Sequence, residues 1–256
     1  MISRLCWCVL CISLLPGTAK AQGSWVTLRP GLEIFNGSFD DHGQEVSFAL
    51  VRCDPKRNRL RIVDTFHSLG KTNAFAAFSV REVSKKTRAT VVVNAGSTAT
   101  FSLPVPVGLL QVGGNIVSQT NHLAEHSGIL CIGQDHVTIV PVSPAAEPDC
   151  IDAVQRGPYL TRDSVSVVDA THRSRRTAVA VDRYGRLLIL VTKDRATEWA
   201  INAFLYASKL GLNTETALNL DGDVSSGMTV AIGKMKTEIG NIDGLVASAL
   251  AIDPAN

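Results

Sequence analysis

Pairs of short apolar runs, each pair separated by turn-forming residues, constrain the fold of this chain more than any other feature. Runs of this length with Gly, Asn, Asp or Pro between them are typical of β-hairpins. The first pair would join strands 46–53 and 60–63. In all, the pattern predicts hairpins that turn at residues 54–58, 113–115, 133–136 and 182–186. The core is therefore predicted to consist mainly of antiparallel strands.

Two segments have the spacing of amphipathic helices. Residues 74–85 repeat apolar side chains on one face, and residues 197–210 open with Thr197, a good N-cap, and stop before a glycine. Each is followed by an apolar run typical of a buried strand, at 90–94 and 217–220. Together these patterns predict an α+β fold, in which a single domain has a mixed, largely antiparallel β-sheet core built from hairpins and flanking helices.

The amino terminus has the pattern of a secretory signal peptide. A short basic start is followed by an apolar run at 5–15 and by the cleavage motif Ala19-Lys20-Ala21. The apolar run is shorter than the roughly 20 residues that a membrane span needs, and no later run reaches that length. We expect a signal peptide at 1–21, one domain at 22–256, and a secreted or periplasmic protein with no integral membrane segment after cleavage.

The charge balance argues against a nucleic-acid partner. The chain has 25 basic and 23 acidic residues, and two of the basic residues, but none of the acidic ones, lie in the predicted signal peptide. The mature chain would therefore have no net charge, whereas proteins that coat polyanions are strongly basic.

Three cysteines remain after the predicted cleavage, at Cys53, Cys131 and Cys150. Export to an oxidising compartment would permit a disulfide. Cys131 and Cys150 could pair and leave Cys53 as a buried thiol in a strand. The sequence alone leaves this pairing open.

Two predicted strands end in a polar residue followed closely by a glycine. The run 91–93 leads into Asn94-Ala95-Gly96, and the run 218–220 leads into Asp221-Gly222. Such strand ends hold side chains rigidly and let the backbone approach a ligand, so both are candidate site segments. Taken singly, each is also an ordinary turn sequence.

Two polar clusters have competing interpretations. His122-Leu123-Ala124-Glu125-His126 matches a zinc-protease pattern, but the flanking residues predict a loop or a single helical turn where that site needs a long helix. The basic cluster 172–176 is either a solvated entry to the strand that begins at Thr177 or an anion site, because arginine matches phosphate geometry.

Several motifs occur in an order that resembles the phosphodiester glycosidase family. The resemblance covers the chain from about Val46 onward, and the segments that carry it are 93–96, 106–110, 156–160, 176–182 and 217–222, with Ser225-Ser226. It implies an enzyme that hydrolyses a sugar linked through its anomeric oxygen to phosphate, and that leaves a phosphomonoester. The implied substrate is a sugar phosphodiester of a cell-surface or exopolysaccharide glycan.

That chemistry needs groups that hold an anion and groups that stabilise an oxocarbenium-like transition state. On the resemblance, Asp221 is the first candidate for catalysis, with Asp182 and Asp194 as its partners. The candidate substrate-binding residues are Arg176, Thr177, Asn94, Gly96, Asn219, Gly222, Ser225 and Ser226. We expect no cofactor.

The loop after Asp221 departs from the family pattern. The family usually has Gly-Gly-Gly-Ser-Ser where this chain has Gly222-Asp223-Val224-Ser225-Ser226. Because glycine lets amides approach an anion, this change favours as an alternative a non-catalytic module that binds sugar phosphates or glycans. Asp223 beside Asp221 would also suit a divalent cation or a pair of carboxylates.

Overall fold

Antiparallel strands make up most of the protein. The computed structural model describes residues 23–65, 78–98, 105–143, 150–161, 169–207 and 209–255. In chain order the described strands are β1 (Val26–Arg29), β2 (Leu32–Asp41), β3 (Gln44–Cys53), β4 (Asn58–Asp64), β5 (Phe78–Ser79), β6 (Val91–Asn94), β7 (Ser97–Thr98), β8 (Pro106–Val107), β9 (Leu110–Val112), β10 (Asn115–Ser118), β11 (Gly128–Ile132), β12 (Val137–Pro141), β13 (Asp152–Arg156), β14 (Tyr159–Leu160), β15 (Thr177–Asp182), β16 (Leu187–Thr192), β17 (Thr214–Asn219), β18 (Gly227–Ile232), β19 (Met235–Gly240), β20 (Leu245–Val246) and β21 (Ser248–Pro254). The described helices are α1 (Val80–Thr87) and α2 (Glu198–Ala207).

The strands form three main sheets. The first has seven strands in the order β1-β2-β3-β16-β15-β17-β14, the second has the order β10-β9-β13-β11-β12, and the third has the order β19-β18-β6-β21-β4. Two short pairs, β20-β5 and β7-β8, complete the described strands. Every pairing in the described part of the chain is antiparallel.

One apolar core joins the three sheets. Side chains from the inner face of each sheet contact one another there, among them Val51 of the first sheet, Leu130 of the second and Leu250 of the third. All three are fully buried. Removal of this much apolar surface from water is the main force that holds the sheets together.

Each helix covers the outer face of one sheet. Phe204 of α2 packs on Phe39 and Phe48 of the first sheet, with ring centroids 5.2 and 4.6 Å apart. Val80 and Val83 of α1 pack on the third sheet near Val92. The helices therefore bury apolar faces that the central core does not reach.

Local capping sets where the helices begin. Ser79 caps α1 through a capping box with Glu82, in which each residue's side chain accepts a hydrogen bond from the other's backbone N–H. Thr197 caps α2, since its hydroxyl accepts a hydrogen bond of 3.1 Å from the N–H of Ala200. The prediction of a helix at 197–210 is confirmed, with α2 at Glu198–Ala207. The predicted helix 74–85 begins later than expected, and its residues 74–77 lie outside the described residues.

The predicted α+β class is wrong, because the fold is mainly β. Two helices accompany twenty-one strands among the described residues, and no described pairing is parallel, so the expectation of a mixed sheet also fails. The segment 227–254, which the hairpin pattern left unassigned, forms four strands.

Three of the four predicted hairpins are confirmed and one is wrong. The turns at 113–115, 133–136 and 182–186 join paired strands. The turn at 54–58 instead passes the chain from β3 in the first sheet to β4 in the third. Both strands are apolar on alternate residues, but β3 pairs with β2 and β16, and β4 pairs with β21.

The cysteines adopt the arrangement that the sequence permitted. Cys131 and Cys150 form a disulfide with a sequence separation of 19 residues, and Cys53 is a buried free thiol. Burial raises the pKa of the Cys53 thiol to about 12. The predicted signal peptide lies outside the described residues. Neither described helix has the length and apolar composition needed to cross a bilayer.

Candidate active site

The three main sheets come together at one place, where the ends of five strands lie side by side. Strands β6, β13 and β17 end there, at Asn94, Arg156 and Asn219, while β15 and β18 begin there. Backbone hydrogen bonds join these ends, since the N–H of Asp221 donates to the carbonyl of Ala95 over 3.1 Å. The N–H of Leu220, the residue before Asp221, donates to the carbonyl of Thr177 over 2.9 Å. The two segments that the sequence singled out, 94–96 and 219–222, are therefore neighbours.

Asn94, Thr177 and Ser226 form a buried hydrogen-bond network beneath Asp221. The Asn94 amide donates to the backbone carbonyl of Asp221 over 2.5 Å, and its oxygen accepts from the Thr177 hydroxyl over 2.7 Å. The hydroxyls of Thr177 and Ser226 are 2.7 Å apart. Because the single hydroxyl proton of Thr177 is donated to Asn94, the Ser226 hydroxyl is the donor to Thr177. These three predicted substrate-binding residues therefore lie at the site, but their polar atoms bond to one another and to the backbone of the Asp221 loop.

Asp221 lies at the centre of the site, with only 13% of its side chain exposed. Its Oδ1 accepts a hydrogen bond of 3.2 Å from Nη2 of Arg156. Burial raises the pKa of Asp221, while Arg156, the Ser225 hydroxyl and the Gly222 N–H act in the opposite direction. The Ser225 hydroxyl is close enough to affect this pKa but lacks the geometry of a full hydrogen bond. A raised pKa makes the carboxylate a better proton acceptor.

Arg156 is a site residue that the sequence prediction did not select, although it lies in one of the segments that carried the resemblance. Nε of Arg156 is buried and has no hydrogen-bond partner in the described part of the chain. The next residue, Gly157, sits against another loop, and a Cβ there would lie 2.5 Å from the carbonyl oxygen of Glu125. A glycine is needed for that close approach.

His126 is a second residue that was missed. It is 5% exposed, and Nδ1 of its ring has no partner among the described residues. Burial and the charge of Arg156 both lower the pKa of His126, which favours the neutral ring. The only sequence signal for His126 was the zinc-protease pattern, which would make this residue a metal ligand. As predicted, this pattern lies on a single helical turn, here a 3-10 turn at Ala124–His126.

Arg176 is held by protein groups on the α2 side of the first sheet. It donates to Glu198 over 3.0 Å, to the carbonyl of Ala196 over 3.1 Å and to the carbonyl of His172 over 2.8 Å. Burial raises the pKa of Glu198, and the charges of Arg176 and Arg156 oppose that shift. Glu198, also missed by the sequence prediction, thus adds a second partly buried carboxylate whose pKa is affected by the charge of Arg156.

The predicted partners Asp182 and Asp194 are not brought to Asp221. Asp182 lies at the far end of β15 from Thr177, roughly 16 Å along the strand at about 3.3 Å per residue. There its carboxylate accepts from the N–H groups of Tyr184 and Arg186 and binds the Arg186 guanidinium at 2.7 Å. Asp194 is exposed and accepts from the N–H of Ser47 over 2.9 Å. Both carboxylates organise turns.

In the loop after Asp221, Asp223 adopts a backbone conformation that favours glycine. Asp223 has φ of 52°, in the left-handed region that asparagine and aspartate tolerate better than other non-glycine residues. Its N–H and carbonyl both bond to Arg175, at 2.8 and 3.2 Å. Gly222 remains essential for space, since a Cβ there would lie 2.9 Å from the carbonyl oxygen of Arg175. Val224 is 37% exposed at the tip.

The other two predicted binding residues have clear positions. The N–H of Gly96 donates to the hydroxyl of Ser248 over 2.9 Å, so this amide is already occupied. Asn219 is 3% exposed, and neither polar atom of its side chain has a partner within the described residues.

A metal would find few ligands in the part of the chain that the structure describes. No three His, Cys, Asp or Glu side chains are grouped there so as to hold an ion. Asp221 and Asp223 therefore have no third ligand of these types among the described residues.

The geometry combines partly buried carboxylates with arginines at one strand-end junction. Burial raises the pKa of both Asp221 and Glu198, while the positive charge of Arg156 acts in the opposite direction on both. Such a set can accept a proton and can bind an anion.

Comparisons with known proteins agree with this description. A sequence model of the phosphodiester glycosidase family matches residues 87–252. No curated protein matches the sequence significantly.

Solved structures share the fold. The catalytic domain of zebrafish N-acetylglucosamine-1-phosphodiester alpha-N-acetylglucosaminidase is 19% identical, with a TM-score of 0.67 over 93% of this chain and 89% of that one. A hypothetical protein from Synechocystis is 14% identical, with a TM-score of 0.68 over 91% of this chain, which spans only 64% of that structure's length. A Burkholderia pseudomallei protein is 13% identical, with a TM-score of 0.58 over 82% of this chain and 74% of that one. At these identities the structures show the fold alone, whereas the family match covers more than half of the sequence: the chain belongs to the phosphodiester glycosidase family.

Proposed function

We propose that this protein is a glycosidase that hydrolyses a sugar-1-phosphodiester, releasing the sugar and leaving a phosphomonoester. The observation that carries the proposal is the partly buried Asp221 carboxylate, hydrogen-bonded to Arg156 at the junction of the three sheets. Membership of the phosphodiester glycosidase family supports it, as does the activity in the name of the zebrafish relative.

The proposed reaction assigns different tasks to Asp221 and Arg156. Water adds to the anomeric carbon, the bond from that carbon to the bridging oxygen breaks, and the phosphate keeps the oxygen. Asp221 accepts the proton of the water, and its pKa, raised by burial, favours this role. Arg156 binds the phosphodiester oxygens through its planar guanidinium. A phosphate leaving group is a weak base, so it needs little protonation as it departs.

We further propose that the protein is exported and acts on a cell-surface or exopolysaccharide glycan. The pattern of residues 1–21 supports export. The disulfide between Cys131 and Cys150 also supports it, since such bonds persist in oxidising compartments.

Replacement of one carboxylate by its amide tests the catalytic assignment. With a panel of sugar-1-phosphodiesters, Asp221→Asn should lower kcat by about 10²- to 10⁴-fold while the protein stays folded. Glu215→Gln is the matched control, because it makes the same change at an exposed position on the strand that leads to Asp221. Turnover by Asp221→Asn at the parental rate would refute the role of Asp221.

The alternative function is a non-catalytic module that binds sugar phosphates or glycans. The observation in its favour is Asp223, whose carboxylate adds negative charge beside the loop where the family has glycine. Such a module would bind a sugar-1-phosphodiester and release no sugar. Measurement of binding and of sugar release on the same parental protein therefore separates the two functions.

A further inference from the structure

The segment 121–127 is held against the chain on both sides of Arg156. Before that arginine, the fully buried Gln155 donates from its side-chain amide to the carbonyl of His126 over 2.7 Å. After it, Gly157 approaches the segment so closely that a Cβ would lie 2.8 Å from one of the segment's backbone nitrogens. Because these contacts flank Arg156 in the chain, they hold His126 beside it.

The ring of His126 lies within electrostatic reach of the pair formed by Arg156 and Asp221. Burial lowers the pKa of His126, the charge of Arg156 lowers it further, and the charges of Glu125 and Asp221 act in the opposite direction. His126 is buried, yet its side chain forms no hydrogen bond with another described residue. Most buried polar groups have a partner within the protein. This imidazole therefore has hydrogen-bonding capacity that the described residues do not use.

The two ring nitrogens of His126 have different surroundings. In the described part of the chain, Nδ1 is enclosed by protein atoms without a partner, whereas Nε2 is not enclosed in this way. An N–H donor that is buried without an acceptor is costly, so the neutral ring carries its proton on Nε2. His126 thus presents one uncharged N–H donor at the accessible edge of its ring.

A phosphodiester bound at Arg156 has acceptors that match this donor. Nη2 of Arg156 is 3.2 Å from Asp221, and its Nε has no partner among the described residues. The non-bridging oxygens of a phosphodiester accept several hydrogen bonds, and donors that the fold fixes in advance bind such oxygens well. The match depends on the placement of N–H groups rather than on net charge, because Asp221 balances the charge of Arg156.

We propose that His126 is a further substrate-binding residue, and that its Nε2–H donates a hydrogen bond to a non-bridging oxygen of the substrate phosphodiester. Arg156 binds the same phosphate, so donors from two neighbouring segments act on one group. The inference rests on the proposed function, which places the phosphodiester at Arg156. Because this hydrogen bond is present both before and during hydrolysis, its loss should weaken binding far more than it slows the chemical step.

Kinetics and calorimetry with methyl sugar-1-phosphodiesters of glucose, mannose and N-acetylglucosamine test this assignment. His126→Leu should raise KM, and the Kd measured in the Asp221→Asn background, by at least about tenfold, the loss expected for a hydrogen bond to a charged group. Its kcat should change by less than about threefold. His122→Leu is the matched control, because it makes the same change at an exposed histidine of the same segment, and it should leave KM and Kd unchanged.

Two further variants identify the ring nitrogen that binds. The amide nitrogen of glutamine reaches the position of Nε2, whereas that of asparagine reaches only the position of Nδ1. His126→Gln should therefore bind within about threefold of the parent, and His126→Asn should bind as weakly as His126→Leu. Rescue by asparagine and not by glutamine would overturn the assignment to Nε2. Denaturant unfolding identifies any variant that does not fold, and if His126→Leu fails to fold, the two amide variants carry the comparison.

Three results would overturn this proposal and leave the proposed function standing. Parental KM and Kd in His126→Leu would show that His126 does not bind the substrate. A fall in kcat with an unchanged KM would assign it to the positioning of Arg156 or Asp221. An equal loss of binding for the methyl glycoside of the same sugar, which has no phosphate, would assign His126 to the sugar. A parent that neither binds nor hydrolyses any of these phosphodiesters would instead overturn the proposed function and this inference together.

Discussion

Buried polar side chains near Asp221 fall into two groups, according to whether the protein itself satisfies them. Asn94, Thr177 and Ser226 bond to one another and to the backbone. Nδ1 of His126 and Nε of Arg156 have no partner in the described part of the chain. Buried polar groups without partners are costly, so these two atoms are expected to bind water or a ligand. The first group holds the site together, and the second has hydrogen-bonding capacity that the described residues do not use.

Thr177→Val tests whether the first group is structural. The change keeps the shape of the side chain but leaves the Ser226 hydroxyl without its buried acceptor and the Asn94 oxygen with only the N–H of Gly227, so we expect a loss of about 1–3 kcal/mol in the free energy of unfolding. Thr229→Val is the matched control, because Thr229 is 1% exposed and its hydroxyl has no partner among the described residues. Denaturant unfolding measures both. Equal destabilisation by the two variants would contradict the network.

Sequence reasoning selected some residues of the candidate site and passed over others, for reasons that can be stated. Asn94 and Asp221 were selected because each lies at the end of an apolar strand with a glycine nearby. Arg156 and Glu198 were missed because a single charged residue at a strand end or a helix start has no distinctive spacing. Asp182 lies far from Asp221 because residues at the two ends of one strand are close in sequence but far apart in space.

Among the elements, local signals were reliable and non-local pairing was not. The three confirmed hairpins are closed by their own turns. The 54–58 turn has the same chemistry, yet its strands enter different sheets, because their partners β2, β16 and β21 come from distant parts of the chain. The predicted fold class was wrong for the same reason, since a strand whose partner is distant in the chain has no adjacent turn that indicates the pairing.

Helix α2 depends on Asp41, a residue far from it in sequence. The buried Asp41 carboxylate accepts from the N–H and the hydroxyl of Thr197 at 2.9 and 3.0 Å, and lies 3.1 Å from the Arg173 guanidinium. These bonds fix the start of the helix that carries Glu198. The β2–β3 hairpin thus sets the position of a carboxylate in the candidate site.

Asp41→Ala should therefore release the start of α2. Loss of these charge-assisted hydrogen bonds is expected to lower the free energy of unfolding by about 2–3 kcal/mol. Asp40→Ala is the control, because the adjacent Asp40 is exposed and bonds only to the N–H of Gly43 among the described residues, so its loss should cost less than about 1 kcal/mol. Chemical denaturation separates the two values, and similar losses would show that Asp41 does not hold the helix.

At the scale of the whole molecule, the site and the core depend on the same packing. The candidate site needs strand ends from all three sheets, and the inner faces of those sheets share one apolar core. A sheet that separated from this core would expose apolar surface and would also remove a strand end from the site. Stability and site geometry are therefore coupled through the entire fold.

Hydrogen exchange tests this coupling as a prediction of cooperative unfolding. Because β15, β6 and β11 come from different sheets but contribute to one core, we expect their most protected amides to exchange through the same global opening, with one free energy and one denaturant dependence. Exchange in increasing guanidinium chloride, measured by mass spectrometry, gives these values for peptides from each strand. If the β11 peptide opened at lower denaturant than the others, the second sheet would be an independent unit, and a site built from all three sheets would lose its shape before the protein unfolded.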